Sequence, residues 1–353
     1  MLKKVRQGEE LPDEVLKSFL LENELISNAS SALNVQQYST GFSNLTYLLK
    51  IENREYVLRR PPKGAIKHGH DMGREFKVLQ GLNQSFEKAP KVFAYTEDLS
   101  VIGAPFYLME KVEGIILTAP QANEQQVDKT EWDQISNAWL DTFVQLHQLD
   151  YNRIGLGDLG RPEGYVERQV RNWGKQYVKA ATEDIPEAER VMKWLDEHQP
   201  RQYAHSLIHN DYKYDNVVFR DNSWTSIRAV LDWEMCTLGD PLMDLGTSLA
   251  YWTSSDDHPL LLKSLPPSAT QFAGNPSRSD LVERYAQKSG RPVNHLIFYY
   301  AYGLFKVAVI VQQIYYRYQK GLTTNEKFAH LNKVTRLFCQ MAQQAIENQR
   351  IER

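Results

Sequence analysis

His209-Asn210-Asp211-Tyr212-Lys213-Tyr214-Asp215-Asn216, followed after one more apolar run by Leu231-Asp232-Trp233-Glu234, is the part of the chain that decides its fold. Leu207-Ile208 precedes the first piece, Val217-Val218-Phe219 follows it, and Ala229-Val230-Leu231 leads into the second. Short apolar, β-branched runs bounded by polar loops predict strands. Asp211 then falls just past one strand, Asn216 just before the next, and Asp232 just past a third. Such a frame holds three oxygen-bearing side chains in fixed positions. They form the set that phosphoryl transfer requires: one carboxylate to take a hydroxyl proton, and an amide with a second carboxylate to hold a divalent cation. Hairpin-turn chemistry alone would also account for Asn210, Asp211, Asp215 and Asn216, but it would leave Asp232 unexplained.

The 353-residue chain is long enough for two units, each with its own core. Hydrophobic residues at 42% and charged residues at 24% place it among globular proteins. A formal net charge of -3 argues against a nucleic-acid partner. Two cysteines, Cys236 and Cys339, are too few for a disulfide framework or a cysteine-based zinc site. They are expected to be buried and reduced. The N-terminal Met-Leu-Lys-Lys-Val-Arg is not followed by the apolar stretch of a secretory signal. The most membrane-like run, Leu296 to Val311, is interrupted by Lys306 and by tyrosines, which predicts a buried helix rather than a span. The expected setting is cytoplasmic, without a membrane partner. Nothing in the sequence specifies an oligomeric state.

Leu11 to Ile26 has helical spacing, with Pro12 near its start. Val35 to Ile51 reads as β, broken by the turn-forming Ser39-Thr40-Gly41-Phe42-Ser43-Asn44, and Tyr56 to Arg59 follows a polar turn. Three consecutive antiparallel strands are expected. Glu75, Val78, Leu79 and Leu82 share a helical stripe, and an acid buried there needs a cation, for which Arg59 is the candidate. Lys91 to Tyr95 and Phe106 to Val112 complete a five-stranded sheet. From Glu131 onward the pattern turns helical. Asp240-Pro241 predicts an N-cap and a first helical residue for a helix from Pro241 to Tyr251. Residues 253–279 read as a long connection, and helices at Leu281 to Ser289, Leu296 to Tyr318 and Asn325 to Asn348 close the chain.

Taken together, His209-Asn210-Asp211 with Asn216, and Asp232 with Gly239-Asp240-Pro241 and Asp244, resemble the aminoglycoside phosphotransferase and choline kinase family, relatives of the protein kinases. The wording Leu-Asp-Trp-Glu with Gly-Asp-Pro is most similar to the branch containing kinase-like domains fused to acyl-CoA dehydrogenases. The resemblance implies a bilobal α+β fold: an antiparallel-sheet N-terminal lobe over residues 1–109 and a larger helical lobe over 110–353. It implies transfer of the γ-phosphoryl group of ATP, or of GTP, to a hydroxyl of a small molecule with magnesium. Asp211 would be the catalytic base, with Lys213 where protein kinases carry a phosphate-contacting lysine that many small-molecule kinases lack. Asn216 and Asp232 would hold the metal. The nucleotide would meet Gly41, Ser43 and Asn44 of the phosphate loop, Val57 over the base, the Arg59 and Glu75 pair, and Met109, Glu110 and Val112 at the connection between lobes. His209 would shape the loop and Asp244 would brace it, while His147 is expected to be a core histidine. Gln169 to Trp173 and Glu234 are candidates to face the acceptor. Arg59 departs from the family's usual lysine, which leaves open a purely structural pair with Glu75 and a nucleotide-binding pseudokinase as the alternative function.

Overall fold

The computed structural model describes residues 2–38, 44–62, 70–265, 267–323 and 325–352. The chain forms two compact units, one of residues 1–113 with 152–156 and 228–236, the other of 114–151, 157–227 and 237–353. A single cut after Met109 therefore does not describe it. The sheet of the first unit runs on to Glu110, and the Asp232 segment belongs to that unit rather than to the helical one.

The first unit is built on a six-stranded sheet of β1 (Leu2–Lys3), β2 (Asn34–Tyr38), β3 (Leu45–Ile51), β4 (Arg54–Arg60), β5 (Val92–Thr96) and β6 (Phe106–Glu110), in the order β1-β2-β3-β4-β6-β5. Sequence reading expected five strands; two residues are too few for β1 to show any alternation. Period-two alternation in β4 sends Tyr56 and Leu58 into a core with Tyr47, Leu49, Phe106 and Leu108. Leu16 and Leu20 of α1 (Asp13–Glu22) join that core. Val57 and Arg59 take the opposite face. Arg60 follows Leu58, and its guanidinium donates to the Tyr47 hydroxyl at 3.0 and 3.2 Å. Helix α2 (Met72–Leu82) starts where the Asp71 carboxylate accepts from the Arg74 amide at 3.0 Å, and it packs on β5 and β6. A short helix, α3 (Leu99–Ile102), capped by Asp98 and ended by Gly103 at φ +75°, links β5 to β6.

The second unit opens with β7 (Ile115–Ile116), α4 (Ala119–Glu124) and α5 (Lys129–His147), the last begun by a reciprocal Asp128 and Glu131 capping box. Helices α6 (Tyr165–Ala180) and α7 (Pro186–Glu197) precede β8 (Ser206–Ile208) and β9 (Val217–Phe219). Strand β10 (Ile227–Val230) carries the chain towards the Asp232 segment, and β11 (Thr237–Gly239) leads into α8 (Pro241–Tyr251), which has the expected bounds. The expected long connection holds α9 (Pro259–Ser264) and a single 3-10 turn at Ala269–Gln271. Helices α10 (Arg278–Ser289), α11 (Leu296–Gln319) and α12 (Leu331–Asn348) finish the unit. The last begins six residues later than expected because a separate turn, Glu326–Phe328 capped by Asn325, takes up the start of that stretch.

By length and composition α11 is apolar enough to cross a membrane, yet it is the central helix of this unit, packed against α6, α7, α8 and α12 with most of its apolar stretch buried. It crosses α8 at two facing glycines. A Cβ added to Gly246 would overlap the Tyr299 carbonyl, and one added to Gly303 would overlap the Gly246 carbonyl. Backbone thus meets backbone with no room for a methyl group. Gly246→Ala and Gly303→Ala are each expected to lower stability by about 3 kcal/mol or more. Gly174→Ala in α6, whose methyl would meet only the Met192 sulfur at 3.7 Å, should be neutral or stabilising through helix propensity. Urea unfolding of the three variants checks this; equal midpoints would refute the close crossing.

Candidate active site

The Asp211 loop is placed by a two-stranded pairing and one buried carboxylate. Strand β8 pairs antiparallel with β11, matching Ser206 with Gly239 and Ile208 with Thr237. It does not pair with β9, which partners β7, so residues 209–216 are a connection between separate sheets and not a hairpin turn. Strand β11 runs directly into α8, which packs on β8 and carries Asp244 in its first turn. The Asp244 carboxylate accepts from the His209 amide at 2.6 Å and the Asn210 amide at 2.8 Å. His147 lies 3.2 Å from the same carboxylate through Nε2, and its Nδ1 is 2.8 Å from the Tyr285 hydroxyl. Burial pushes the His147 pKa down, so the neutral ring donates through Nε2 and accepts from Tyr285. Burial acts to raise the Asp244 pKa, but the hydrogen bonds from His147 and the His209 amide hold it below the ordinary value.

Beyond that brace the chain turns through Asn210 at φ +67°, a left-handed conformation that asparagine tolerates better than most residues. Fully buried His209 accepts the Asp211 amide on Nδ1 at 3.2 Å. The Asp211 carboxylate then receives Lys213 Nζ at 3.0 and 2.9 Å and Asn216 Nδ2 at 2.8 Å. Asn216 Nδ2 also donates to the Asp211 carbonyl at 2.8 Å, which commits the amide nitrogen and turns the amide oxygen away as a hard donor. Lys213 lies over the Tyr251 ring at 4.7 Å.

In the first unit a second polar set is centred on Arg59. Its guanidinium bridges Glu75 at 2.7 Å and Asp232 at 3.0 Å, with Glu234 at 3.6 Å. Burial opposes the Arg59 charge, but these carboxylates keep its pKa well above the ordinary value. Asp232, like Asn210, is left-handed, at φ +66°. It is held there by its neighbours: Trp233 Nε1 donates to the Val230 carbonyl at 2.8 Å, and the Val230 amide donates to the Lys88 carbonyl at 2.7 Å. Glu234 accepts from Asn44 Nδ2 at 3.0 Å, and Asn44 Oδ1 lies 2.8 Å from His70 Nδ1. Among the described residues no group of three or more His, Cys, Asp and Glu forms a metal cluster. The donors present are instead single hard oxygens, the kind magnesium takes alongside phosphate and water.

Residues 34–265 match the family model described as the phosphotransferase enzyme family. The chain belongs to that family. It is 33% identical over 341 residues to acyl-CoA dehydrogenase family member 10 of Mus musculus, covering 96% of this chain and 31% of that protein. With member 11 of Homo sapiens it shares 35% identity over 305 residues, covering 84% of this chain and 38% of that one. The chain thus spans about a third of the length of these curated relatives. A solved structure from Ralstonia eutropha, assigned as an aminoglycoside phosphotransferase, superposes with a TM-score of 0.79 at 30% identity, covering 96% and 99% of the two chains. The streptomycin-ATP complex of APH(2")-IIa superposes with a TM-score of 0.55 at 15% identity, covering 92% of this chain and 99% of that one, which shows a shared fold. The kinase-like α+β architecture expected from the sequence is therefore that of a phosphotransferase family member.

Within the chain the structure brings Asp211, Lys213 and Asn216 into direct contact, and separately Arg59, Glu75 and Asp232. Gly41 and Ser43 lie outside the described residues, and Asn44 is engaged by Glu234 and His70. Val57 and Met109 sit opposite one another in the β4–β6 pairing. The Glu110 amide is spent on the Lys91 carbonyl at 2.8 Å, which leaves that residue without a free N–H for a base. Val112 follows the end of β6 and is half-buried. Glu234, considered for the acceptor, belongs to the Arg59 set. Arg171 lies exposed on α6, while Trp252 and Tyr299 to Tyr302 are core. Sequence reading missed His70, the part of His147 in the Asp244 brace, and Lys306, which reaches the loop from α11. A polar residue at an otherwise apolar helix position was the available signal for the last two. Arg59→Met would strand the Glu75 carboxylate, which is 2% exposed, and is expected to destabilise the chain by about 3–5 kcal/mol. Chemical denaturation measures this, and a loss below about 1 kcal/mol would mean that the pair is not the main support of that charge.

Proposed function

We propose that this chain is a small-molecule kinase that transfers the γ-phosphoryl group of ATP to a hydroxyl of a metabolite. One observation carries the proposal most: the Asp211 carboxylate, on a loop anchored through buried backbone contacts, is oriented by both Lys213 and Asn216. A carboxylate fixed in this way is suited to accept the proton of an incoming hydroxyl, and Lys213 supplies positive charge for the transferring group. Asn216 and Asp232 are the residues that, from the sequence, would hold magnesium, and the ion would supply positive charge for the nucleotide phosphates. Arg59, kept charged by its carboxylate neighbours, is suited to nucleotide phosphates as a planar fork in place of a lysine. Val57 and Met109 offer an apolar surface to the base, and Gly41 and Ser43 are assigned to the phosphates from the sequence alone. The nucleotide is taken to be ATP, and GTP is chemically equivalent at the phosphates. ATP in the streptomycin-bound structural neighbour supports nucleotide use by this fold. Two buried cysteines, neither in a disulfide, accord with a cytoplasmic setting.

A second reading has its own observation. Arg59 clasps Asp232 directly, an arrangement that suits a nucleotide-binding pseudokinase with a regulatory role. Turnover separates the two. With magnesium, ATP and a library of hydroxyl metabolites, mass spectrometry should reveal a product gaining one phosphoryl group. Asp211→Asn should then lower kcat by about 10²–10⁴-fold, the range for loss of a general base, while nucleotide affinity stays within a few-fold. Nucleotide binding without turnover across the library would favour the pseudokinase.

A further inference from the structure

The Asn210–Asp211 peptide is held at both ends. Its N–H goes to His209 Nδ1 at 3.2 Å, and its carbonyl oxygen accepts from Lys306 Nζ at 2.8 Å. The same ammonium lies 3.3 Å from Asn210 Oδ1, which leaves Asn210 Nδ2 to face the Tyr165 hydroxyl at 3.3 Å. Lys306 is 1% exposed and comes from the middle of α11, with the Trp173 ring of α6 at 5.8 Å. Asn210 is therefore clamped by opposite charges. Asp244 takes its backbone N–H and Lys306 takes its C=O, so both sides of a left-handed residue are fixed.

A buried lysine is expensive, because its charge is stripped of water. A neutral side chain would fill the same volume in an apolar helix at less cost, so packing alone does not account for a cation here. A carbonyl buried in a left-handed turn, with an acid on the other side of the residue, does call for one. We propose that Lys306 is a positioning residue for phosphoryl transfer: its ammonium sets the Asn210–Asp211 peptide plane and thereby aims the Asp211 carboxylate. The inference rests on the reading of Asp211 as the base. The charged groups facing Lys306 are Asp244 from α8 and Asp211 and Lys213 from the loop; α6 presents Trp173 and the Tyr165 hydroxyl. Burial outweighs the two carboxylates and pushes the Lys306 pKa down to about 8. The ammonium is thus present at neutral pH and is lost as the pH climbs through that value.

The test compares wild type with Lys306→Met and Lys306→Arg in the full chain, read by amide hydrogen exchange and by magnesium-dependent ATP turnover. In Lys306→Met the amides of residues 208–213 should exchange at least about tenfold faster while those of α8 and α11 keep their protection, since a local opening and not global unfolding is expected. Its kcat should fall at least about tenfold with KM for ATP held within a few-fold, the pattern of a lost transition-state contribution. Lys306→Arg keeps a cation whose charge persists at alkaline pH. It should restore loop protection and remove the decline in turnover expected of the wild type above about pH 8, and this comparison serves if the methionine variant does not fold. Unchanged exchange at residues 208–213, a uniform rise across the whole second unit, or the same alkaline decline in wild type and Lys306→Arg would overturn the proposal. Absence of wild-type ATP turnover with every acceptor would instead count against the kinase reading, and hydrogen exchange would still decide whether Lys306 holds the loop.

Discussion

The second unit depends on the acceptance of two consecutive backbone amides by one buried carboxylate. Asp244 takes the N–H groups of His209 and Asn210, where no strand or helix partner is available to them. An unpaired buried amide costs about 1–3 kcal/mol, so without Asp244 this turn would have two such penalties next to a left-handed residue. The acid is itself kept ionised by His147, which burial keeps neutral and which donates through Nε2 because a carboxylate can only accept. The loop is therefore shaped by groups outside it, and within it Lys213 and Asn216 both contact the Asp211 carboxylate.

The first unit solves a similar problem with the opposite sign. Here the buried centre is a cation, Arg59, and three carboxylates gather round it from α2 and from the segment after β10. Each unit also places an Asx residue in the left-handed region beside its polar cluster, Asn210 in one and Asp232 in the other. Polar side chains of this kind make that conformation affordable, and such backbone persists only where its surroundings over-determine it.

Much of this was legible in the sequence because it depends on local chemistry. The Asp240-Pro241 pair set the start of α8, and an acid on an apolar stripe predicted the Arg59–Glu75 pair. The rest depends on encounters between residues far apart in the chain. That β8 pairs with β11 and not with β9 follows from no pattern within either strand. Lys306 reads only as an interruption of an apolar helix until Asn210 is placed beside it. Strand β1 is too short to carry a period at all. The close crossing of Gly246 and Gly303 is similarly hidden, since a glycine in a helix shows the absence of a side chain but not what fills the space.

The reach of Lys306 has a consequence for how the chain is made. Asn210 and Lys306 are 96 residues apart, and a ribosome adding about 5–20 residues per second needs on the order of 5–20 s to cover that interval. For most of that time the nascent chain contains Asp211, Asn216 and Asp232, yet α11 is not there to hold the turn. The motif is written early and acquires its shape late. A chain interrupted before α11 would display every residue of the signature while lacking the support that gives it a single conformation.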